Sequence, residues 1–255
     1  MYIDTHCHLN YKPLSQKIDH VISQAQDQGV EKLICIGTNL DTSRESVRIA
    51  TNYENVYAAV GIHPNDCENA PEDWKDQIID LAGHYKVVGI GETGVDLYRS
   101  KDTVELQKEF FADHIKIARS LDLPVIIHNR QADEAVLEVL DELEYEKFVM
   151  HCYSSDANYA EKILQLGGKI SFTGNITYKS KKRHDAVQKI PLDRIMVETD
   201  APFLTPSQIR DKNNYNQPAF VTFVAEKIAS LKNISLEEVE KTTTQNAIQF
   251  FNIDS

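Results

Sequence analysis

The sequence has no stretch that approaches the roughly 20 consecutive apolar residues of a membrane-spanning helix. Its first ten residues, MYIDTHCHLN, have neither the basic start nor the apolar middle of a secretory signal. These two absences argue against an integral membrane protein and against a secreted precursor. We therefore expect a cytoplasmic protein that does not bind membranes.

Cysteine is also scarce. The four cysteines, Cys7, Cys35, Cys67 and Cys152, lie far apart and form no Cys-x-x-Cys pair. We expect reduced thiols rather than a disulfide framework. Internal repeats, low-complexity tracts and breaks in composition are absent as well, so residues 1–255 are expected to form one domain.

Basic residues are outnumbered by acidic ones. Lys and Arg total 27 against 39 Asp and Glu, which gives a formal charge of −12. Such a charge works against an unaided grip on nucleic acid, so any polyanion must be bound locally. The acidic excess lies mostly in helix-like segments, which we interpret as solvated outer faces.

Short β-branched runs alternate with segments of helical periodicity along the whole chain. This order predicts parallel strands joined by crossover helices. The eight predicted strands are Tyr2–His8, Lys32–Thr38, Val56–His63, Val87–Thr93, Pro124–Asn129, Lys147–Tyr153, Lys169–Gly174 and Arg194–Asp200. The clearest predicted helices are Ile18–Gln28, Leu106–Leu121, Ala132–Leu143, Ala157–Leu166, Pro218–Leu231 and, after a capping Ser235, Leu236–Phe251.

The connection between the seventh and eighth strands, about Lys182 to Lys189, has the weakest helical pattern. Eight βα units predict a (β/α)8 TIM barrel with a C-terminal helix. An open doubly wound sheet is the alternative, because the pattern alone does not show that the sheet closes.

Several predicted strands stop at an ionisable residue. His6 and His8 lie two apart at the end of the first strand, so their side chains share a face. A barrel brings strand ends to one mouth, where unpaired buried charges are costly but ligands of two divalent cations satisfy one another. The predicted metal ligands are His6, His8, Glu92, His128, His151 and Asp200. Such a mixed set of imidazoles and carboxylates accepts Mg, Mn, Co or Zn.

Six short stretches, taken together, resemble the TatD-type metal-dependent deoxyribonucleases. They are Asp4–His8 (DTHCH), Gly61–Pro64 (GIHP), Gly91–Asp96 (GETGVD), Pro124–His128 (PVIIH), His151–Ser154 (HCYS) and Glu198–Leu204 (ETDAPFL). They occur in order and at family spacing over nearly the whole chain, which makes the match more specific than any single motif.

The resemblance implies a (β/α)8 barrel, two divalent metals and hydrolysis of DNA phosphodiesters, often as a 3′ to 5′ exonuclease, here on single strands or frayed ends. It also implies that the six predicted ligands bind the metals and that Glu92 bridges them. One motif departs from the family: many relatives have Arg-Asn-Glu-Pro where this chain has Tyr215-Asn216-Gln217-Pro218. A substrate contact inferred from that motif does not carry over.

Four acidic residues are assigned roles beside the metals. Asp200, a carboxylate next to the attacking water, is predicted to accept its proton, and Glu92 is the other catalytic carboxylate. Glu198 lies on the same strand face as Asp200, and Asp96 is in phase with Glu92. Each is predicted to orient a ligand histidine, with an ordinary structural hydrogen bond as the alternative.

Basic residues follow several strands on the catalytic side. Arg99 and Arg130 follow the fourth and fifth strands, and Lys181 and Lys182 belong to a basic run after the seventh. They are predicted to bind the DNA backbone, although a solvated loop is the alternative for residues 179–183. His63 ends the third predicted strand. It could be a metal ligand, a hydrogen-bond donor to phosphate or a histidine without a functional role, and we favour the phosphate donor.

Two aromatic residues, Tyr153 and Phe203, are predicted to line the pocket, where they could stack on a base. Other functions compete with the nuclease. A metal-dependent amide or lactone hydrolase would use a similar barrel, but no lysine stands at the ends of the fourth and fifth strands to bridge metals as a carboxylated lysine. An aminoacyl-tRNA ester hydrolase and a non-catalytic scaffold are the remaining alternatives, and retention of all six ligands argues against the scaffold.

Overall fold

The computed structural model describes residues 1–99, 101–212 and 215–254. Strands and helices alternate along the chain. The strands are β1 (Tyr2–Cys7), β2 (Val30–Ile36), β3 (Val56–Val60), β4 (Val87–Asp96), β5 (Val125–Arg130), β6 (Phe148–Met150), β7 (Lys169–Phe172) and β8 (Ile195–Val197). The helices are α1 (Ile18–Asp27), α2 (Leu40–Asn52), α3 (Trp74–Ala82), α4 (Val104–Leu121), α5 (Asp133–Leu143), α6 (Ala157–Gln165), α7 (Lys181–Lys189), α8 (Val221–Lys232) and α9 (Leu236–Phe251). Short 3-10 helices are Leu14–Lys17, Pro64–Asn69, Gly174–Thr177, Leu192–Arg194 and Pro218–Phe220.

The eight strands form one parallel sheet in chain order, β1 to β8. Backbone hydrogen bonds also join the ends of the first and last strands. The Asp200 N–H donates to the His6 carbonyl at 2.9 Å, and the His8 N–H donates to the Ala201 carbonyl at 2.8 Å. The sheet therefore closes, which confirms the predicted (β/α)8 TIM barrel and excludes the open doubly wound alternative.

Helix α9 covers the N-terminal end of the barrel. Its Phe250 and Phe251 pack against Ile3, Val88 and other apolar side chains that fill the barrel interior. The helix begins where predicted, with the Ser235 hydroxyl accepting the Glu238 N–H at 3.1 Å. Because apolar side chains occupy this end, polar chemistry is left to the C-terminal end of the strands.

Several strands end before the residue that the apolar pattern predicts. β1 ends at Cys7 rather than His8, β3 at Val60 rather than His63, and β7 at Phe172 rather than Gly174. β6 ends at Met150 and β8 at Val197, whereas the prediction extended them to Tyr153 and Asp200. For these last two strands the reason is backbone conformation: Cys152 and Asp200 have φ angles of 48° and 55°, in the left-handed region that a strand does not enter. His151 and Asp200 therefore lie in the loops that directly follow these strands.

Strand β4, in contrast, continues to Asp96, three residues beyond the prediction. Gly91 and Gly94 interrupt it with φ angles of 150° and 136°. A Cβ atom on Gly94 would lie 2.0 Å from the His128 carbonyl oxygen, and one on Gly91 would lie 2.7 Å from the Ile126 carbonyl oxygen. The two glycines thus let β4 approach β5 closely on both sides of Glu92.

The periodicity did not single out helices α2 and α3. Helix α2 begins with a capping box in which the Asn39 side chain accepts the Thr42 N–H and the Thr42 hydroxyl accepts the Asn39 N–H. Helix α7, whose pattern was the weakest, begins after Ser180. Within the described residues, no helix is both long and apolar enough to cross a membrane.

Candidate metal centre

The C-terminal end of the barrel holds a cluster of imidazoles and carboxylates whose possible ligand atoms lie within 4.8 Å of one another in groups of three. The groups are His6 with His151 and Asp200, His6 with His8 and Glu92, and His63 with Glu92 and His128. The structure thus brings together all six residues that the sequence predicts as ligands. It adds His63 to them.

One part of the cluster surrounds the imidazole of His6. Its Nε2 lies 3.3 Å from His8 Nε2, 3.5 Å from Glu92 Oε2 and 3.6 Å from Asp200 Oδ1. His8 Nε2 in turn lies 3.4 Å from Asp200 Oδ1 and 3.9 Å from Glu92 Oε2. Ligand atoms held ~2.0–2.2 Å from one tetrahedral ion lie roughly 3.3–3.6 Å from each other, so these four side chains fit a shared cation.

The other part surrounds the second oxygen of Glu92. Oε1 lies 2.7 Å from His128 Nδ1, 2.9 Å from His151 Nε2 and 3.6 Å from His63 Nε2. The carboxylate therefore presents Oε2 to the histidines at the end of β1 and Oε1 to His128 of β5 and to the histidines that follow β3 and β6. A carboxylate with one oxygen in each of two ligand groups has the arrangement that a bridging ligand requires.

Charge is concentrated in this buried cluster. Burial opposes ionisation of Glu92, but the imidazoles of His151, His63 and His128 outweigh it and hold the pKa of the carboxyl well below its usual value. Burial likewise opposes ionisation of Asp200, yet His8 and other imidazoles lower its pKa. Both carboxylates are ionised at neutral pH, so the cluster requires compensating positive charge.

The imidazoles show what could supply that charge. Burial works against protonation of His128 and His151, but Asp96 and Glu92 raise the pKa of His128, and Glu92 and Glu198 raise that of His151. Burial and the neighbouring His151 lower the pKa of His6, whose buried Nδ1 has no hydrogen-bond partner among the described residues. Divalent cations bind neutral imidazole and ionised carboxylate. The side chains of this cluster therefore fit divalent cations, which would supply the compensating positive charge.

Glu198 stands behind His151. Its Oε1 accepts the Cys152 N–H at 2.6 Å and lies 3.4 Å from His151 Nδ1, while its Oε2 accepts the Ser171 hydroxyl at 2.7 Å. The side chain is buried and held at both oxygens. It is therefore placed to fix the orientation of the imidazole whose other nitrogen faces Glu92.

Asp96 has the corresponding place behind His128. Its Oδ2 lies 3.3 Å from His128 Nε2, and the same oxygen accepts the Asn65 side-chain N–H at 3.3 Å. Its Oδ1 accepts the backbone N–H groups of Tyr98 and Arg99, both at 3.0 Å. Burial opposes ionisation of Asp96, but the hydrogen bonds from His128 and the Arg99 backbone hold its pKa well below the usual value.

Two positioning residues were not recognised in the sequence. Asp4, fully buried in β1, accepts the backbone N–H of Thr199 at 2.9 Å and also the Thr199 hydroxyl. It thereby joins the strand that carries His6 to the loop that carries Asp200. An Asp inside a strand that was predicted to be buried was the available signal, because a buried carboxyl group requires donors.

Asn216 is the second of these residues. It is fully buried, its side-chain N–H donates to the Thr199 carbonyl at 2.8 Å, and its backbone N–H donates to the Pro202 carbonyl at 3.0 Å. The asparagine retained within the altered Tyr215–Pro218 motif thus fixes the loop after β8. That role does not depend on the charged residues that the family motif has on either side.

A cavity of about 640 Å³ opens above the cluster. Arg99, Arg130 and Arg183 line it together with His8, Glu92 and Asp200. Among the described residues, none of these three arginines has a carboxylate within ion-pair distance, whereas some basic side chains on the outer helices do, as Arg48 has in Glu45. The arginines leave their charge available to an anionic ligand in the cavity.

Other predicted substrate contacts lie elsewhere. Tyr153 is buried, and its hydroxyl donates to the Asp156 carbonyl at 2.6 Å, so the structure does not bring this ring to the cavity. Lys181 is exposed and pairs with Asp185 on α7. Lys182 lines an adjoining cavity of about 560 Å³, which shares Ser154 and Arg183 with the first.

His63 and Phe203 do line the cavity, as the sequence predicts. His63 Nδ1 accepts the Asn65 N–H at 3.1 Å, which leaves Nε2 directed at Glu92. Burial and the neighbouring His128 lower the pKa of His63 to about 3, so its imidazole is neutral at neutral pH. The position of His63 is thus compatible with two roles, a metal ligand and a hydrogen-bond donor to phosphate.

Known proteins resemble this chain over nearly its whole length. A family model described as TatD related DNase matches residues 3–252. The chain is 38% identical over 257 residues to the uncharacterized metal-dependent hydrolase YabD of Bacillus subtilis, covering 100% of both chains, and 38% identical over 259 residues to the uncharacterized metal-dependent hydrolase YcfH of Escherichia coli K12, covering 99% of this chain and 96% of YcfH. The crystal structure of YJJV, a TatD homologue from Escherichia coli K12, superposes with a TM-score of 0.94 at 30% identity, covering 99% of this chain and 98% of YJJV. The matching family model, these relatives and the shared barrel show that the chain belongs to the TatD family of metal-dependent hydrolases.

Proposed function

We propose that this hydrolase cleaves phosphodiester bonds of DNA, removing nucleotides from the 3′ end of single strands or frayed ends with two divalent cations. The observation that carries the proposal is the presence of Arg99, Arg130 and Arg183 in the cavity above the metal cluster, without carboxylate partners among the described residues. In a chain of charge −12, unpaired arginines that face one cavity are best explained by an anionic substrate.

The proposal assigns His6, His8, Glu92 and Asp200 to one cation, and Glu92, His128 and His151 to the other. The split of the Glu92 oxygens between the two histidine groups supports a bridging role. When bound, the two cations would supply positive charge for the phosphate oxygens and make the attacking water more acidic. Mg, Mn, Co and Zn all suit this set of donors.

Asp200 accepts the proton of the attacking water in this mechanism. Its carboxylate lines the cavity, its side chain is 15% exposed, and its lowered pKa keeps it ionised before the reaction. The hydrogen bond from its own backbone N–H to the His6 carbonyl fixes the residue beside the cluster. A carboxylate held beside the reacting water is a suitable general base.

The carboxylates behind the histidines keep those rings in place. Glu198 holds His151 through Nδ1, and Asp96 holds His128 through Nε2. In each ring the other nitrogen faces Glu92. Arg99 and Arg183 bind the phosphate oxygens and orient the diester, and Arg130 adds positive charge to the same cavity. Asp4 and Asn216, which both bond to Thr199, hold the loop that carries Asp200.

A panel of substrates tests the proposal. The protein, supplied with Mn²⁺, Mg²⁺ or Co²⁺, is incubated with a single-stranded DNA oligonucleotide, a lactone, a dipeptide and an aminoacyl-tRNA. We expect 3′-terminal nucleotides to be released from the DNA, and we expect chelation to abolish this activity. Hydrolysis of another substrate without DNA cleavage, or undiminished DNA cleavage after dialysis against excess chelator, would refute the proposal.

A further inference from the structure

Aromatic groups stand at two opposite points of the cavity rim. Among the described residues, five large apolar or aromatic side chains are exposed, and two of them, Phe203 at 50% and Tyr98 at 59%, lie at this end of the barrel. Phe203 follows β8 and Tyr98 follows β4. In a closed barrel with strands in chain order, β8 lies opposite β4.

Phe203 is held in a fixed position beside the metal cluster. Its ring is edge-to-face with His8, at a centroid distance of 6.1 Å, and with Tyr11, at 6.3 Å. Its backbone N–H donates to the Asp200 carbonyl at 2.9 Å. Tyr11 is itself stacked on His8 at 4.8 Å and bonded through its hydroxyl to Thr38. Phe203 is nevertheless half-exposed as a residue and lines the cavity.

The opposite rim carries a stacked pair. The guanidinium of Arg130, at the end of β5, lies over the Tyr98 ring at 4.0 Å from its centroid. Arg130 lines the cavity, and the backbone of Tyr98 is tied to Asp96 by its N–H. Planar guanidinium groups and aromatic rings are the surfaces on which proteins stack unpaired bases.

We infer that the two bases flanking the scissile phosphate bind at opposite rims, one on Phe203 and the other on the Arg130–Tyr98 pair. The inference rests on the proposed phosphodiesterase function. The metal cluster lies between the two rims, so a phosphate at the cluster places one nucleoside on each side. Bases so far apart cannot stay stacked on each other, which restricts the substrate to unpaired strands.

Dinucleotides that lack one base test this inference. The substrates are dTpdT and two analogues in which either nucleoside is replaced by an abasic residue, with cleavage followed by chromatography. The variants are Phe203→Ala, Phe203→Trp, Tyr98→Ala and, as a control, Tyr85→Ala, which removes another exposed aromatic ring. Tyr85 is stacked on His84 rather than on any residue of the cavity rim.

We expect Phe203→Ala and Tyr98→Ala each to lower kcat/KM on dTpdT by roughly 5- to 100-fold. Phe203→Trp should retain most of the activity, and Tyr85→Ala should not change it. In Phe203→Ala, removal of the base that stacks on Phe203 should lower kcat/KM no further. In Tyr98→Ala, the same should hold for removal of the base that stacks on the Arg130–Tyr98 pair. Each rim variant should remain sensitive to loss of the base that it does not bind.

Fluorescence gives a readout independent of turnover. In the Asp200→Asn background, supplied with Mg²⁺ so that the metals are bound while turnover is slow, 2-aminopurine at either position of the dinucleotide should be quenched on binding, and Phe203→Ala should relieve the quenching at one position only. The two-rim arrangement would be overturned if the losses of kcat/KM from the protein substitution and from removal of a base were fully additive. It would also be overturned if both variants depended on the same base. Neither result would affect the proposed function. Failure of the wild-type protein to cleave any diester would overturn the proposed function and this inference together.

Discussion

Glu92 and His128 lie 2.7 Å apart, measured from Oε1 to Nδ1, while the other oxygen of the same carboxylate lies 3.5 Å from His6 Nε2. One buried side chain thus contacts histidines from opposite sides of the barrel. The two glycines near it allow β4 to approach β5 closely, on the side where Glu92 meets His128. Glu92 is therefore the residue whose loss should separate the two parts of the cluster.

The first prediction concerns metal content. Replacing Glu92 by Gln removes negative charge from between two cations, whose repulsion in a partly dry pocket is then poorly screened. We expect the wild-type protein to bind two equivalents of Mn²⁺ and Glu92→Gln to retain one. Elemental analysis after gel filtration measures this directly.

Glu161→Gln is the matched control, because Glu161 is an exposed residue of the outer helix α6 and its replacement changes the net charge by the same amount. This control should keep both equivalents. Two equivalents bound to Glu92→Gln as well would contradict the bridging role.

The second prediction concerns the general base. Asp200→Asn keeps an oxygen that can bind a cation but cannot accept a proton. We expect kcat on a DNA oligonucleotide to fall by roughly 10²- to 10⁴-fold with KM little changed, because general-base catalysis contributes a factor of this size. Metal content should be largely retained. If Asp200→Asn turned over at nearly the wild-type rate with both metals bound, the base would have to be another group, with Glu198 as the next candidate.

Much of the fold follows from residues that can be read in order. Alternating apolar strands and amphipathic helices predict the barrel, and ionisable residues at strand ends, such as His128 and Glu92, predict where the site lies. The comparisons confirm the family that the six motifs indicate. These features are local, and a sequence shows local features directly.

What the sequence did not show depends on backbone geometry and on long-range contacts. The left-handed conformation of Asp200 ends β8 early, and no residue type at that position announces it. The bond between Asp4 and Thr199 joins residues 195 positions apart. Tyr153 belongs to a matched motif, but its direction, away from the cavity, is decided by packing against Tyr159 and Phe172.

The third prediction separates the basic residues of α7. Arg183 lines the metal-site cavity, whereas Lys181 is exposed and pairs with Asp185. On a single-stranded oligonucleotide, Arg183→Ala should weaken binding and reduce the slope of log Kd against log salt by about 0.7, the value for one phosphate contact. Lys181→Ala removes the same charge from the same helix and should change the slope much less.

Fluorescence anisotropy titrations at several salt concentrations, with metal-free protein, provide the measurement. The sequence alone placed Lys181 and Lys182 in the substrate interface. A larger loss of slope for Lys181→Ala than for Arg183→Ala would therefore favour that first assignment over the one based on the cavity.

His114 provides a prediction about stability that does not involve the metal ligands. It is fully buried in α4, where its Nε2 accepts the Ile62 N–H at 3.0 Å and its Nδ1–H donates to the Phe110 carbonyl at 2.7 Å. Only the neutral ring can accept the Ile62 N–H, whereas the bond to the Phe110 carbonyl can form in either protonation state. Burial lowers the pKa of His114 to about 4, from the value of 6.5 that applies to an unfolded chain.

Between pH 6.5 and pH 4 the unfolded chain therefore binds a proton at His114 that the native protein does not. The free energy of unfolding should be unaffected by this group above pH 6.5 and should fall as the pH is lowered towards 4, by up to about 3 kcal/mol. His114→Gln keeps an acceptor for the Ile62 N–H but cannot titrate, so it should lack this part of the pH dependence. Urea denaturation of the metal-free proteins at pH 7 and pH 4.5 measures the difference, and equal losses in the two proteins would show that His114 is not the group responsible.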